Sequence, residues 1–250
     1  MTHERTDLRE KVYLVTGGGG GLGTAICAQL HACGAGVVVL DREAGRAQRC
    51  AERLSAGSVA GGWPLVYPMH LDVCDAAGVD AALADVVEHC GHIDGVINNA
   101  AIDITLPVDE ISPQSWLRVL MTNLYGPYLM AHGVVPMLKA RGGGDIVNIA
   151  STASCRAWPN ASAYHASKWG LLGMSHALHA ELRPFGIRVS AIIAGGMRTP
   201  FLLERFPEID PAVLQAPEHV AQAVIFALTQ PQGSVIPELM VLPMRETSWP

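Results

Sequence analysis

The chain of 250 residues predicts one α/β domain: a doubly wound parallel sheet of about seven strands with helices on both faces. Three observations predict it. Short β-branched runs recur at Val12 to Val15, Val37 to Leu40, Leu65 to Tyr67, Gly95 to Ile97, Ile146 to Ile149, Val189 to Ile193 and Leu239 to Leu242, with separations that fit helical crossovers. Runs such as Val37-Val38-Val39-Leu40 are apolar without alternation, so both faces of their sheet must be covered. No internal repeat and no low-complexity linker divides the chain; Ala56 to Gly62 reads as a surface loop before the third strand. Strands spaced by helix-length segments pair in parallel through right-handed connections.

Composition narrows the class of partner. A net charge of -6 gives no basic footprint for nucleic acid or an anionic membrane, so a small molecule is the expected partner. Met1 to Lys11 carries no apolar run resembling a secretory signal, and no later segment is apolar long enough to cross a bilayer; a cytoplasmic protein is expected. The six cysteines form no C-x-x-C pair, which points to reduced thiols. His89 with His92 and His176 with His179 share helix faces, but no cysteine or carboxylate cluster completes either pair, and no metal site is expected.

The first strand runs into Thr16-Gly17-Gly18-Gly19-Gly20-Gly21-Leu22-Gly23, and a helix-forming stretch follows at once. Glycine permits positive φ and close backbone approach, and a helix N-terminus favours an anion, so this turn is suited to a pyrophosphate. Asp41 ends the second strand, where a carboxylate accepts hydrogen bonds from ribose hydroxyls and repels a 2′-phosphate; it is also placed to cap the next helix. Arg42 beside it suits that phosphate. On balance NAD(H) is favoured over NADP(H).

Tyr164 and Lys168 lie four apart in Ala161 to Gly186, a stretch with helical period, so both project from one face. An ammonium about 4 Å from a phenol at an effective dielectric near 20 contributes roughly 4 kcal/mol to the phenolate. That lowers the tyrosine pKa by about three units before desolvation, toward acid/base work near neutral pH.

Taken together, these residues resemble the short-chain dehydrogenase/reductase family, in order and along nearly the whole chain. Thr16 to Gly23 is similar to its T-G-x-x-x-G-x-G, Asp72 in Leu71-Asp72-Val73 to its adenine-side acid, Asn98-Asn99-Ala100 to its N-N-A, and Tyr164-His165-Ala166-Ser167-Lys168 to its Y-x-A-S-K. The resemblance implies a Rossmann-like fold, residues 1–250 as a single dinucleotide-binding catalytic domain, and a homo-oligomer, tetramer or dimer. It also implies an oxidoreductase interconverting a secondary alcohol and a ketone. Its catalytic set would be Ser151, Tyr164, Lys168 and Asn123, with Ser154 and Thr152 as competitors for the serine role and Asn123 supporting a water that links the lysine to solvent.

The cofactor set implied is Gly17, Gly21, Leu22, Gly23, Asp41, Arg42, Asp72, Val73, Asn99, Ala100, Tyr164 and Lys168, with Met197 and Thr199 near the nicotinamide. Ser154, Trp158, Phe201 and Leu202 are expected at the substrate, beside Ile102, Asp103 and Cys155, a largely apolar wall. The Pro-punctuated stretch 200–217 is expected to form a substrate lid, mobile without ligand. The chain departs from the family at Ala101, where a glycine is usual, and at Ala194-Gly195, where Pro-Gly is usual. The alternatives are an NADPH-dependent carrier-protein ketoreductase, a non-catalytic cofactor-sensing regulator that keeps the fold, and, more remotely, a nucleotide-sugar epimerase.

Overall fold

The computed structural model describes residues 8–56 and 63–245. Seven parallel strands form one sheet: β1 (Val12–Thr16), β2 (Gly36–Asp41), β3 (Val66–His70), β4 (Gly95–Asn98), β5 (Gly144–Ser151), β6 (Ile187–Ala194) and β7 (Glu238–Val241). Their order is β3-β2-β1-β4-β5-β6-β7. Each expected strand is present, with ends shifted by a few residues. The chain winds outward from β1 to β3 and then returns to β4 on the other side of β1. That reversal opens a crevice beyond the carboxyl ends of β1 and β4, where Thr16 and Asn98 lie, and ligands of such sheets bind there.

The unbroken apolar strands are explained by the packing. Side chains alternate across a strand, so Val37 and Val39 enter one core with Ile26 and Leu30 of α1 (Gly21–Ala32) and Val224 of α8 (Pro217–Leu228). Val38 and Leu40 enter the opposite core with Leu83 of α3 (Ala76–Cys90) and Met130 and Leu138 of α5 (Gly126–Arg141). At about 1.5–3 kcal/mol for each fully buried Val, Leu, Ile or Met, either layer alone is a large part of the folding free energy. Helix α2 (Ala44–Ser55) leads toward β3; residues 57–62, most of the expected surface loop, lie outside the described residues, as do residues 246–250.

Three local features position the site. Ser112 caps α4 (Pro113–Leu120), its hydroxyl accepting from Ser115 N–H at 3.1 Å, with Pro113 pre-set at the first helical position. Between α4 and α5 the helix widens into a π-helical turn, Met121–Tyr125, which carries Asn123. The long helix expected over Ala161 to Gly186 is α6 (Ser162–Leu182), followed by a 3-10 turn, Arg183–Phe185, and Gly186 at φ 72°. The stretch 200–217 holds a short helix, α7 (Pro200–Leu203), and a 3-10 turn, Pro211–Val213; Met197 bridges to Gln215 at its base. Among the described residues no helix is long and apolar enough to cross a membrane.

Candidate active site

The glycine turn is held from both sides. Gly17 has φ +62°, and Gly18 N–H donates to Leu40 O at 3.0 Å, tying the turn to β2. Asn99 Nδ2 donates to the carbonyls of Thr16 (2.9 Å) and Gly17 (3.1 Å), while Thr16 Oγ1 accepts from the N–H groups of Asn99 and Ala100. No side chain caps α1, so its first-turn N–H groups face the crevice, as an anion-binding helix start requires.

The steric demand fits a dinucleotide cradle. A Cβ on Gly23 would stand 2.1 Å from Gly17 O, and one on Gly19 would stand 2.6 Å from Arg46 Cβ. Gly23→Ala must push α1 off the turn, so we expect NADH affinity about tenfold or more weaker and a lowered melting temperature. Fluorescence titration and a thermal melt check both; unchanged NADH affinity counts against this turn as the cradle.

Asp41 uses both carboxylate oxygens locally. Oδ2 accepts from Gly19 N–H at 3.1 Å and Oδ1 from Glu43 N–H at 2.9 Å, so Asp41 braces the turn and the approach to α2 together. Arg42, Arg46 and Arg49 line the same end of the cavity; Arg46 pairs with Glu43 at 2.9 Å. Asp72 Oδ1 accepts from Cys74 N–H, fixing the loop after β3, and Asp72 and Val73 both face the cavity.

The same cavity, about 680 Å³, runs on to the end of β5. Ser151 ends that strand, its Oγ accepting Ala153 N–H at 3.2 Å, and its hydroxyl draws the pKa of the Tyr164 phenol on α6 down against burial. Lys168, one turn further along α6, lines the cavity beside them, and all three share its wall. Ser154 does not reach the cavity: it is fully buried, donating to Ser151 O at 2.7 Å and accepting from Ser151 N–H. Thr152 borders the cavity; Cys155 does not. Asn123 lies wholly buried behind the wall, its carboxamide gripping both backbone groups of Ile102 at 2.8 Å and donating to Ser167 Oγ at 3.1 Å.

The electrostatics differ from the expected phenol–ammonium contact. Lys168 Nζ donates to Ile149 O at 2.8 Å and stands 5.8 Å from the Tyr164 ring centre. Burial pushes the tyrosine up to about 12, with the Ser151 hydrogen bond pulling the other way; burial also pulls Lys168 down to about 8, opposed by the Asp103 carboxylate. Desolvation outweighs the charge contributions at both groups.

Beyond Tyr164 the wall is Trp158, Met197, Phe201 and Leu202, with the Phe201 ring centre 6.3 Å from that of Tyr164. Thr199 closes on the glycine turn, since a Cβ on Gly21 would meet its Cγ2 at 2.8 Å. His165 holds the Trp158 loop, accepting Trp158 N–H at Nε2 (3.1 Å) while its Nδ1 hydrogen-bonds to Ala153 O (3.0 Å).

The sequence profile of the short chain dehydrogenase family matches residues 11–210, four-fifths of the chain. This chain belongs to the short-chain dehydrogenase/reductase family. It is 35% identical over 201 residues to trans-4-hydroxycyclohexanecarboxylate dehydrogenase of Sinomonas cyclohexanicum, covering 80% of this chain and 77% of the relative. With D-threitol dehydrogenase of Mycolicibacterium smegmatis it shares 38% over 184 residues, covering 73% and 68%. The crystal structure of 3-ketoacyl-(acyl-carrier-protein) reductase from Brucella melitensis complexed with NADH superposes with a TM-score of 0.85 at 28% identity, covering 96% of this chain and 99% of that one. The chain is thus an oxidoreductase of the dehydrogenase class acting on CH–OH groups, as the family membership and named relatives establish.

Two groups in this short-chain dehydrogenase escaped sequence reasoning. Arg46 and Arg49 stand three apart on α2, a spacing that shares one helix face and is readable in the sequence, and Arg42 precedes that helix. The pairing of Arg205 with Asp103, across more than a hundred residues, carried no local signal.

Proposed function

We propose that the enzyme interconverts a secondary alcohol and a ketone on a largely apolar small molecule, with NAD(H) favoured, through Ser151, Tyr164, Lys168 and Asn123. The observation that carries the proposal is that Ser151, Tyr164 and Lys168 line one cavity together with the glycine turn. Ser151 holds the substrate oxygen, and Tyr164 passes a proton between its phenol oxygen and that atom. Lys168 binds the nicotinamide ribose and, once charged beside the phenol, stabilises the phenolate. Asn123 fixes the loop that follows β4 and, by resemblance, supports the water that links Lys168 to solvent. The nicotinamide, when bound, supplies the hydride donor or acceptor. Oxidation of cyclic secondary alcohols, followed by NADH absorbance, tests the proposal.

Support for NAD(H) comes from Asp41, buried at the adenosine end of the cavity and tied to the turn, where a 2′-phosphate would meet its charge. The specific observation favouring the second reading, an NADPH-dependent ketoreductase, is the row of Arg42, Arg46 and Arg49. Wild type is expected to show higher kcat/KM with NAD than with NADP. Asp41→Ala removes the charge that would face a 2′-phosphate and keeps the arginines, so the ratio should move toward NADP by about tenfold or more. A wild-type NADP preference overturns the assignment.

For the setting, we read a cytoplasmic homo-oligomer, tetramer or dimer. Leu117, Tyr125, Tyr128 and Trp169 support the oligomer, since these large side chains on α4 to α6 are exposed in the single chain.

A further inference from the structure

Asp103 stands second after Ala101 in the loop whose backbone Asn123 grips at Ile102, so its position is set by a buried brace. Its side chain is 5% exposed, and it lines the cavity that holds Ser151, Tyr164 and Lys168. One carboxylate oxygen, Oδ2, receives Arg205 Nη1 and a weak donation from Thr105 Oγ1 at 3.4 Å. The other, Oδ1, is buried and has no hydrogen-bond partner. A carboxylate oxygen closed off from water without a donor is unfavourable, and a ligand that brings a donor recovers that free energy.

The surroundings select the kind of donor. Arg205 already balances the carboxylate charge, its guanidinium 4.3 Å from the Phe201 ring centre and its Nε bonded to Phe201 O at 2.7 Å. A cationic substrate therefore gains little from Asp103, and an anionic one is repelled by the oxygen left over. What remains is a neutral donor, a hydroxyl. The carboxylate is close enough to the reacting centre to raise the pKa of both Tyr164 and Lys168.

Resting on the alcohol–ketone reading above, we infer that Asp103 is a specificity-determining residue whose free oxygen accepts a hydrogen bond from a second hydroxyl of the substrate, making diols on an apolar frame the preferred class over simple alcohols. Arg205 joins the 200–217 segment to Asp103 and fixes the position of the carboxylate.

The test compares cyclohexanol with the isomeric cyclohexanediols. In wild type the best diol should exceed cyclohexanol in kcat/KM by about ten- to a hundredfold, the range for a hydrogen bond to a charged group. Asp103→Asn and Asp103→Ala should lower the diol constant more than the cyclohexanol constant, bringing the ratio within about threefold. Arg205 is 22% exposed, so water can take over the contact it loses in either variant. The same alcohols titrated into the protein saturated with NADH form complexes that cannot be oxidised, and diols should bind more tightly there too, only while Asp103 is present. Equal constants for diol and cyclohexanol in both measurements, or a diol preference that survives in both variants, overturns the inference. Absence of turnover with every alcohol sinks the alcohol–ketone reading instead, and the titrations still decide the role of Asp103.

Discussion

Tyr164→Phe is expected to lower kcat/KM for alcohol oxidation by about two to four orders of magnitude, the contribution of a positioned acid/base. The ring stays, so packing against Phe201 and the buried cluster with Ala153 and Ala161 is kept. What is lost is one hydroxyl and its interaction with Ser151, a change of about 1 kcal/mol or less in stability. NADH should still bind, because the glycine turn and its braces are untouched. Burial holds the wild-type phenol up at about 12 in the ligand-free protein, and oxidation needs its deprotonated form, so the wild-type rate should climb with pH through the neutral and alkaline range. The residual rate of the variant should lack that climb. Turnover near the wild-type level in Tyr164→Phe removes the phenol from the mechanism.

Lys168→Met should abolish measurable oxidation and, in the opposite direction, stabilise the fold at pH 7. Lys168 is 3% exposed, and burial draws its pKa from the ordinary 10.5 to about 8. A folded-state pKa below the unfolded one means that the unfolded chain binds more protons between those values. Wild-type stability therefore carries the full penalty of the buried ammonium below about pH 8 and recovers it as pH rises toward 10.5. A methionine of similar reach fills the space without charge. We expect a gain of about 1–3 kcal/mol at pH 7, reduced by the bond lost to Ile149 O and shrinking as pH approaches 10.5. Urea unfolding of both proteins at pH 7 and pH 10 checks the magnitude and the sign. A gain that grows with pH contradicts burial as the cause of the lysine's low pKa.

The two substitutions separate what Tyr164 and Lys168 do although they sit on one helix turn. The first is expected to remove chemistry and leave folding nearly unchanged. The second is expected to show a destabilising buried charge, the usual relation between a buried ammonium and a working pocket.

Sequence determined everything about this enzyme that depends on local period. Unalternating runs such as Val37 to Leu40 required a sheet covered on both faces, and the glycine run between a strand and a helix required a close backbone approach. The i, i+4 spacing put Tyr164 and Lys168 on one helix face. These patterns are legible because a strand or a helix repeats within a few residues, whatever the rest of the chain does.

Tertiary structure alone decided the contacts between distant segments. Register placed Ser151 on the cavity wall, but only the folded loop shows the Ser154 hydroxyl turned inward onto Ser151's own backbone. Asn123, read by resemblance as the support for a water beside the lysine, stands in a π-helical turn and clamps Ile102. Lys168 has a backbone oxygen of β5 as its acceptor, so desolvation rather than the expected charge pairing governs both pKa values. The Asp103–Arg205 pair joins positions 102 apart in the chain. No periodicity encodes such meetings: the free energy of a buried charge or an unpartnered oxygen is set by whatever the packed core brings beside it.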